Sequence, residues 1–360
     1  MKYTLLSLLA VLFLSIPSHA ALDPIVVAED LRQPEAKGIT EALKSDRPQQ
    51  RARAALALGR IRSPLGINPL LMLLTDKNYG VRREAVFALG QYGWEAQASG
   101  GREKEIAYKI KELLENEGSI PVRIVALEAL GKIGLLETPK LVIPHLKDES
   151  GPVQAEAIMA LYRYRLVAKL RKPDVVLEDI PKEAIDQFAV LVDAVEYPVR
   201  RNLAYFFARV KDARGATILA KLSLDSDRWI KMFAIMGLTK IADPASLSTF
   251  LKATNDRSSE VQIAALAGVV AVKGEGKLDK DLALELNHHV RTAFAQTLAT
   301  VPEQVPGGPV DPSAILSGGQ ADELISKLMS DRSPQVQAAA LQSFAKRKKA
   351  LAKAILTQVI

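Results

Sequence analysis

The chain has 360 residues, 48% of them hydrophobic and 5% aromatic, with 48 basic against 41 acidic side chains, a formal net charge of +7 and no cysteine. The absence of cysteine excludes disulfides, thiolate catalysis and a lipoprotein anchor, so stability has to come from the core alone. The mixed charge describes a solvated surface, with at most a weak attraction to an anionic envelope surface, and the aromatics are too few for stacking on nucleic-acid bases.

In chain order, MKYTLLSLLAVLFLSIPSHA opens with one lysine, an apolar run from Tyr3 to Ile16 and the small-residue end Ser18-His19-Ala20. That pattern predicts a secretory signal peptide over 1–20, cleaved after Ala20, and a periplasmic or secreted protein. Residues 21–35 read as an extended lead-in. From residue 36 to 346 one sentence is then rewritten again and again: VRREAVFALG from Val81, VRIVALEALG from Val122, IKMFAIMGLT from Ile230, VQIAALAGVV from Val261. With Val81 as anchor, the equivalent positions are Gln50, Val81, Val122, Val153, Val199, Ile230, Val261, Val290 and Val336, separated by 31, 41, 31, 46, 31, 31, 29 and 46 residues. A unit of 31 residues with three insertions, near 93–102, 170–180 and 301–320, predicts a stacked array of about nine helix pairs. Residues 347–360 read as a separate capping helix, basic from Lys346 to Lys349 and apolar beyond.

Each alignment column has a physical meaning. Four residues past the anchor stand Ala54, Ala85, Ala126, Ala157, Leu203, Ala234, Ala265, Phe294 and Ala340; eight past it stand Leu58, Leu89, Leu130, Leu161, Phe207, Leu238, Val269, Leu298 and Phe344. Offsets 0, 4 and 8 share one helical stripe, which is therefore the buried face. Five residues before the anchor an acid recurs (Asp76, Glu117, Asp148, Asp225, Asp256, Glu285, Asp331), and one after it a base (Arg51, Arg82, Arg123, Arg200, Lys231, Arg291) or glutamine. Such columns predict a ladder of ion pairs and turn caps between neighbouring pairs.

The pattern D-x-x-x-x-V-R-x-x-A-x-x-x-L-G resembles bacterial HEAT repeats of the type also found in phycobilin lyases. The resemblance implies an all-α fold, a right-handed α-solenoid, with the anchor helix second in each pair and lining the concave side. That family includes scaffolds, cyclophilin-type prolyl isomerase fusions, bilin lyases and some DNA glycosylases.

Catalytic chemistry finds little footing. Beyond the signal the histidines are His145, His288 and His289; the adjacent two point about 100° apart on a helix and do not chelate one metal. No Gly-x-Ser-x-Gly elbow or H-E-x-x-H occurs, and Gly274-Glu275-Gly276-Lys277 lacks the remaining residues of a phosphate loop. No catalytic residue, metal ligand or cofactor site is assigned. The informative residues are those facing away from the buried stripe, at offsets 2 and 6: Arg83, Phe87, Met159, Arg201, Tyr205, Met232 and Met236. Apolar and methionine-rich for a solvent-facing surface, they predict a groove that binds a protein or peptide partner, with Arg83 and Arg201 meeting its acidic flanks. The expected function is a non-enzymatic scaffold; the alternatives are a lyase- or glycosylase-like enzyme or the non-catalytic half of an isomerase fusion.

Overall fold

In the computed structural model, the residues described are 23–93, 99–171, 174, 177, 179–272, 286–301 and 317–359, without side chains beyond 349. The chain is all-α, an α-solenoid of HEAT-like helix pairs. The helices are α1 (Pro24–Asp30), α2 (Lys37–Leu43), α3 (Pro48–Ile61), α4 (Ile67–Leu73), α5 (Tyr79–Gln91), α6 (Glu103–Asn116), α7 (Ile120–Ile133), α8 (Thr138–Val142), α9 (Gly151–Arg171), α10 (Lys182–Leu191), α11 (Tyr197–Arg209), α12 (Ala216–Leu222), α13 (Arg228–Ile241), α14 (Leu247–Ala253), α15 (Ser259–Ala271), α16 (His288–Leu298), α17 (Gly318–Met329) and α18 (Pro334–Val359). They form two compact units, residues 1–144 with 163–177, and residues 145–162 with 178–360; α9 contributes to both.

Within each unit the second helices pack on one another, α3 on α5 on α7 in the first and α11 on α13 on α15 in the second. The stripe read from sequence is their interface. Every residue of the offset-4 column is buried, and so is the anchor column except Gln50, which is exposed. The offset-8 column is buried through Leu298, but Phe344 is 38% exposed, because no further described helix packs beyond α18. Close helix approaches also occur outside the alanine column, at the glycines nine residues past the anchor. A Cβ on Gly59 of α3 would sit 2.7 Å from the Cα and Cβ of Ala88 on α5, and one on Gly90 of α5 would sit 2.9 Å from the Cβ of Ala129 on α7. In the second unit, larger residues fill the core instead: Phe188 of α10 packs against Phe206 and Phe207 of α11 with ring centroids 5.2 and 5.7 Å apart.

Two boundaries differ from the sequence reading. The lead-in is not extended throughout, since Pro24–Asp30 is helical: Asp23 accepts from the Ile25 N–H at 2.9 Å and Pro24 supplies a fixed φ at the first turn. Ile25 and Ala28 of this helix are buried. Nor is there a separate capping helix at 347–360. The last anchor helix runs unbroken from Pro334 to Val359, because AKRKKALAKAIL holds neither glycine nor proline to stop it. Arg347, inside the basic cluster, is 1% exposed rather than solvated; its guanidinium donates to Asp322 Oδ1 at 2.9 Å and to the Gly318 carbonyl at 2.9 Å. At the third insertion α17 begins at Gly318, where Ser317 and Gln320 form a reciprocal capping box. The signal segment 1–20, much of the three insertions and the first helix of the eighth pair lie outside the described residues.

Candidate functional site

The ion-pair ladder takes the form its columns predict. Arg51 meets the next pair's Asp76 side-on, Nε to Oδ2 at 2.6 Å and Nη2 to Oδ1 at 2.8 Å; Arg82 does the same with Glu117 at 2.7 and 2.8 Å, and Arg291 with Asp331 at 2.7 and 2.9 Å. Arg200 pairs with Asp225 at 2.7 Å, and Lys231 with Asp256. The arginines also hold their own turns: Arg51 donates to the Ser45 carbonyl at 2.7 Å, Arg82 to that of Asp76 at 2.8 Å and Arg200 to that of Ala194 at 2.7 Å. Two of the glutamines that replace the base keep this second task, Gln154 donating to the Asp148 carbonyl and Gln337 to that of Asp331, each at 2.7 Å. The acids cap the turn they sit in, as Asp76 accepts from the Asn78 N–H at 2.8 Å and Asp331 from the Ser333 N–H at 2.8 Å.

The guanidiniums beside them hold the Asp76 and Asp331 carboxyls below the usual carboxylate range. Glu117 and Asp256 are also lowered: burial opposes ionisation there, and Arg82 and Lys231 overcome it. Two clefts lie along the ladder, one of 750 Å³ over Arg82 and Glu117, the other of 970 Å³ over Asp225, Lys231 and Asp256. Arg82, Glu117, Lys231 and Asp256 there are already committed to the ladder, and neither cleft is lined by a groove residue.

The groove residues divide between the two units. In the first, Arg83 is exposed, but its guanidinium is bound to Glu84 of the same helix at 2.6 Å, so it offers less to an acidic partner than its position suggests. Phe87 is half-buried and covered by Lys132, whose Nζ stands 5.3 Å from the ring centroid.

The second unit gathers the other five. Met159 of α9, Tyr205 of α11 and Met232 of α13 are half-buried; Met236 is 37% exposed, and Arg201 is exposed. What joins them is an aromatic row that offset counting did not contain. Tyr162 of α9 meets Tyr205 edge-on at 5.6 Å, and Tyr205 meets Phe233 of α13 edge-on at 5.2 Å. Burial, then the Tyr205 hydroxyl, pushes the Tyr162 phenol above its usual pKa. Arg209, one turn beyond Tyr205, lays its guanidinium 5.1 Å from that ring's centroid. Tyr162 and Phe233 sit at offsets 9 and 3, between the stripes counted from sequence, and reach the row because ring side chains span the gap between neighbouring helices. Arg209 was legible as the i+4 neighbour of Tyr205.

A solenoid of stacked helix pairs with a half-buried aromatic row across its second helices is the class that fold and surface define together. The HEAT repeats family matches residues 36–99 of the chain. The structure is similar to the Escherichia coli protein YibA, at 12% identity over 92% of this chain and 99% of that one, with a TM-score of 0.51. It is also similar to yeast importin-β, Kap95p, at 14% identity and a TM-score of 0.58; 90% of this chain aligns there and spans 47% of importin-β. No curated protein matches the sequence.

Proposed function

We propose that the protein is an exported, non-enzymatic scaffold that binds a protein or peptide segment across the second helices of its second unit. The observation that carries this is the row Tyr162–Tyr205–Phe233 with Met232 and Met236 beside it: rings held edge to face yet left part-exposed to solvent. Preformed aromatic and methionine surface of this kind supplies contact area at low ordering cost, and tyrosine and arginine are the usual anchors of such contacts. Export is supported by the N-terminal run MKYTLLSLLAVLFLSIPSHA.

Met236→Glu is the cleanest test, since Met236 is 37% exposed and a carboxylate there remains solvated in the free protein. The expected result is thermal unfolding close to wild type together with loss of the partner captured from envelope extract. Capture that survives in Met236→Glu places the binding surface elsewhere. N-terminal sequencing of the native protein is expected to begin at Ala21; cytoplasmic protein that still carries Met1 removes the export part.

A further inference from the structure

The charge pattern around the aromatic row specifies what kind of segment fits. Helices α11 and α13 carry six bases, Arg200, Arg201, Arg209, Arg228, Lys231 and Lys240, and no acid. Four of the six have structural work. Arg200 and Lys231 are rungs of the ladder, Arg228 stacks on Trp229 with its guanidinium 5.0 Å from the ring, and Lys240 donates to the carbonyls of Ala208 and Arg209 at 3.1 Å each. Arg201 and Arg209 are the two that face the row: both are exposed and neither is paired with a carboxylate among the described residues, Arg209 lying over the Tyr205 ring with its charge uncompensated. They stand four residues before and four after Tyr205, so arginine, tyrosine, arginine form a single stripe along α11.

We infer that this stripe receives an extended peptide segment with an apolar or aromatic side chain between two carboxylates, in the pattern acid-x-apolar-x-acid. The inference rests on the reading that this face takes a protein segment, and adds the chemistry of that segment. Eight residues of helix rise about 12 Å. An extended chain covers that length in about four residues at roughly 3.3 Å each. In such a chain alternate side chains point the same way, so residues i, i+2 and i+4 all face α11. The outer two deliver carboxylates to Arg201 and Arg209, while the central side chain lies on Tyr205, flanked by Tyr162 and Phe233. A basic segment meets two uncompensated guanidiniums and is repelled; an uncharged one forgoes both charge-assisted contacts.

The test pans a random peptide library displayed on phage against the full chain, then measures the Kd of synthetic selected peptides by fluorescence anisotropy. The expected selection is enriched in acid-x-aromatic-x-acid. Its affinity falls with added salt, drops about tenfold or more in Arg201→Glu/Arg209→Glu, and is recovered on that variant by the same peptide with lysine for each acid. Both arginines are exposed, so the double variant is expected to stay folded with at most a small fall in melting temperature from the lost Arg209–Tyr205 stack, and recovery by the charge-swapped peptide shows that its face is intact. Selected peptides that are lost in Met236→Glu but indifferent to the arginine reversal overturn this inference and leave the binding face standing. No enrichment, or binders indifferent to both variants, removes the inference and the binding face together.

Discussion

Asp76 shows how much one side chain does here. One oxygen closes its own turn at Asn78, and both take the fork of Arg51 from the preceding pair. Asp76→Asn keeps the shape and forfeits the charge, which is expected to cost about 2 kcal/mol, the scale of hydrogen bonds to charged groups. The pH dependence follows from the direction of the shifts. Asp76, Glu117, Asp256 and Asp331 all ionise more readily folded than unfolded. Their contribution is therefore fully present above the ordinary carboxylate range and is lost as pH falls through that range and into the lower folded values. Urea denaturation across pH 2–6 is expected to show stability falling on the acid side, with a shallower fall in Asp76→Asn. An acid branch identical in the two proteins means that this rung holds no ionised carboxylate.

Helix against helix, the decisive residue is glycine. Alanine is the better helix former by about 1 kcal/mol, so Gly59→Ala would stabilise an isolated α3. In the array the added Cβ lies 2.7 Å from Ala88 of α5, and overpacking at such a contact costs about 1–3 kcal/mol. The steric effect wins, and the melting temperature of Gly59→Ala is expected to fall. Ala88→Gly removes the methyl half of the clash but leaves the Ala88 Cα at 2.7 Å and costs about 1 kcal/mol in helix propensity, so the double variant is expected to lose less than the sum of the two single losses; no interaction between the two in a double-mutant cycle contradicts the contact. The groove carries a related correction. Tyr205 is solvent-facing by offset but half-buried between two rings, and edge-on pairs contribute about 0.5–1.5 kcal/mol each. Tyr205→Ala is thus expected to lower stability measurably as well as binding, and Met236→Glu separates the two effects better.

Across the whole molecule, each helix pair contacts mainly its neighbours, so a local defect stays local. Ala126, wholly buried on α7, belongs to the first unit, and Ala234, its equivalent on α13, to the second. Replacing either by leucine is expected to cost about 1–3 kcal/mol in thermal denaturation. Hydrogen exchange followed by mass spectrometry is expected to show Ala126→Leu deprotecting amides of the first unit more than those of the second, and Ala234→Leu the reverse. Uniform loss from either variant means that the chain unfolds as one cooperative body.

What the sequence determined by itself is whatever repeats. The anchor, alanine and leucine columns, the acid and base of the ladder and the order of the pairs recur in nearly every unit, because each unit solves the same packing problem against a near-identical neighbour. Tertiary structure decided what occurs once. Arg347 reads as a solvated lysine-like end and is buried against Asp322 because α17 happens to pass there. Arg83 reads as a free cation and is held by Glu84. Tyr162 and Phe233 lie in no shared column, yet they meet Tyr205 because helices from three successive pairs bring their rings within reach. Such contacts depend on distances between helices, and a repeat period carries the spacing of residues along one helix but not the gap that a side chain must cross to the next.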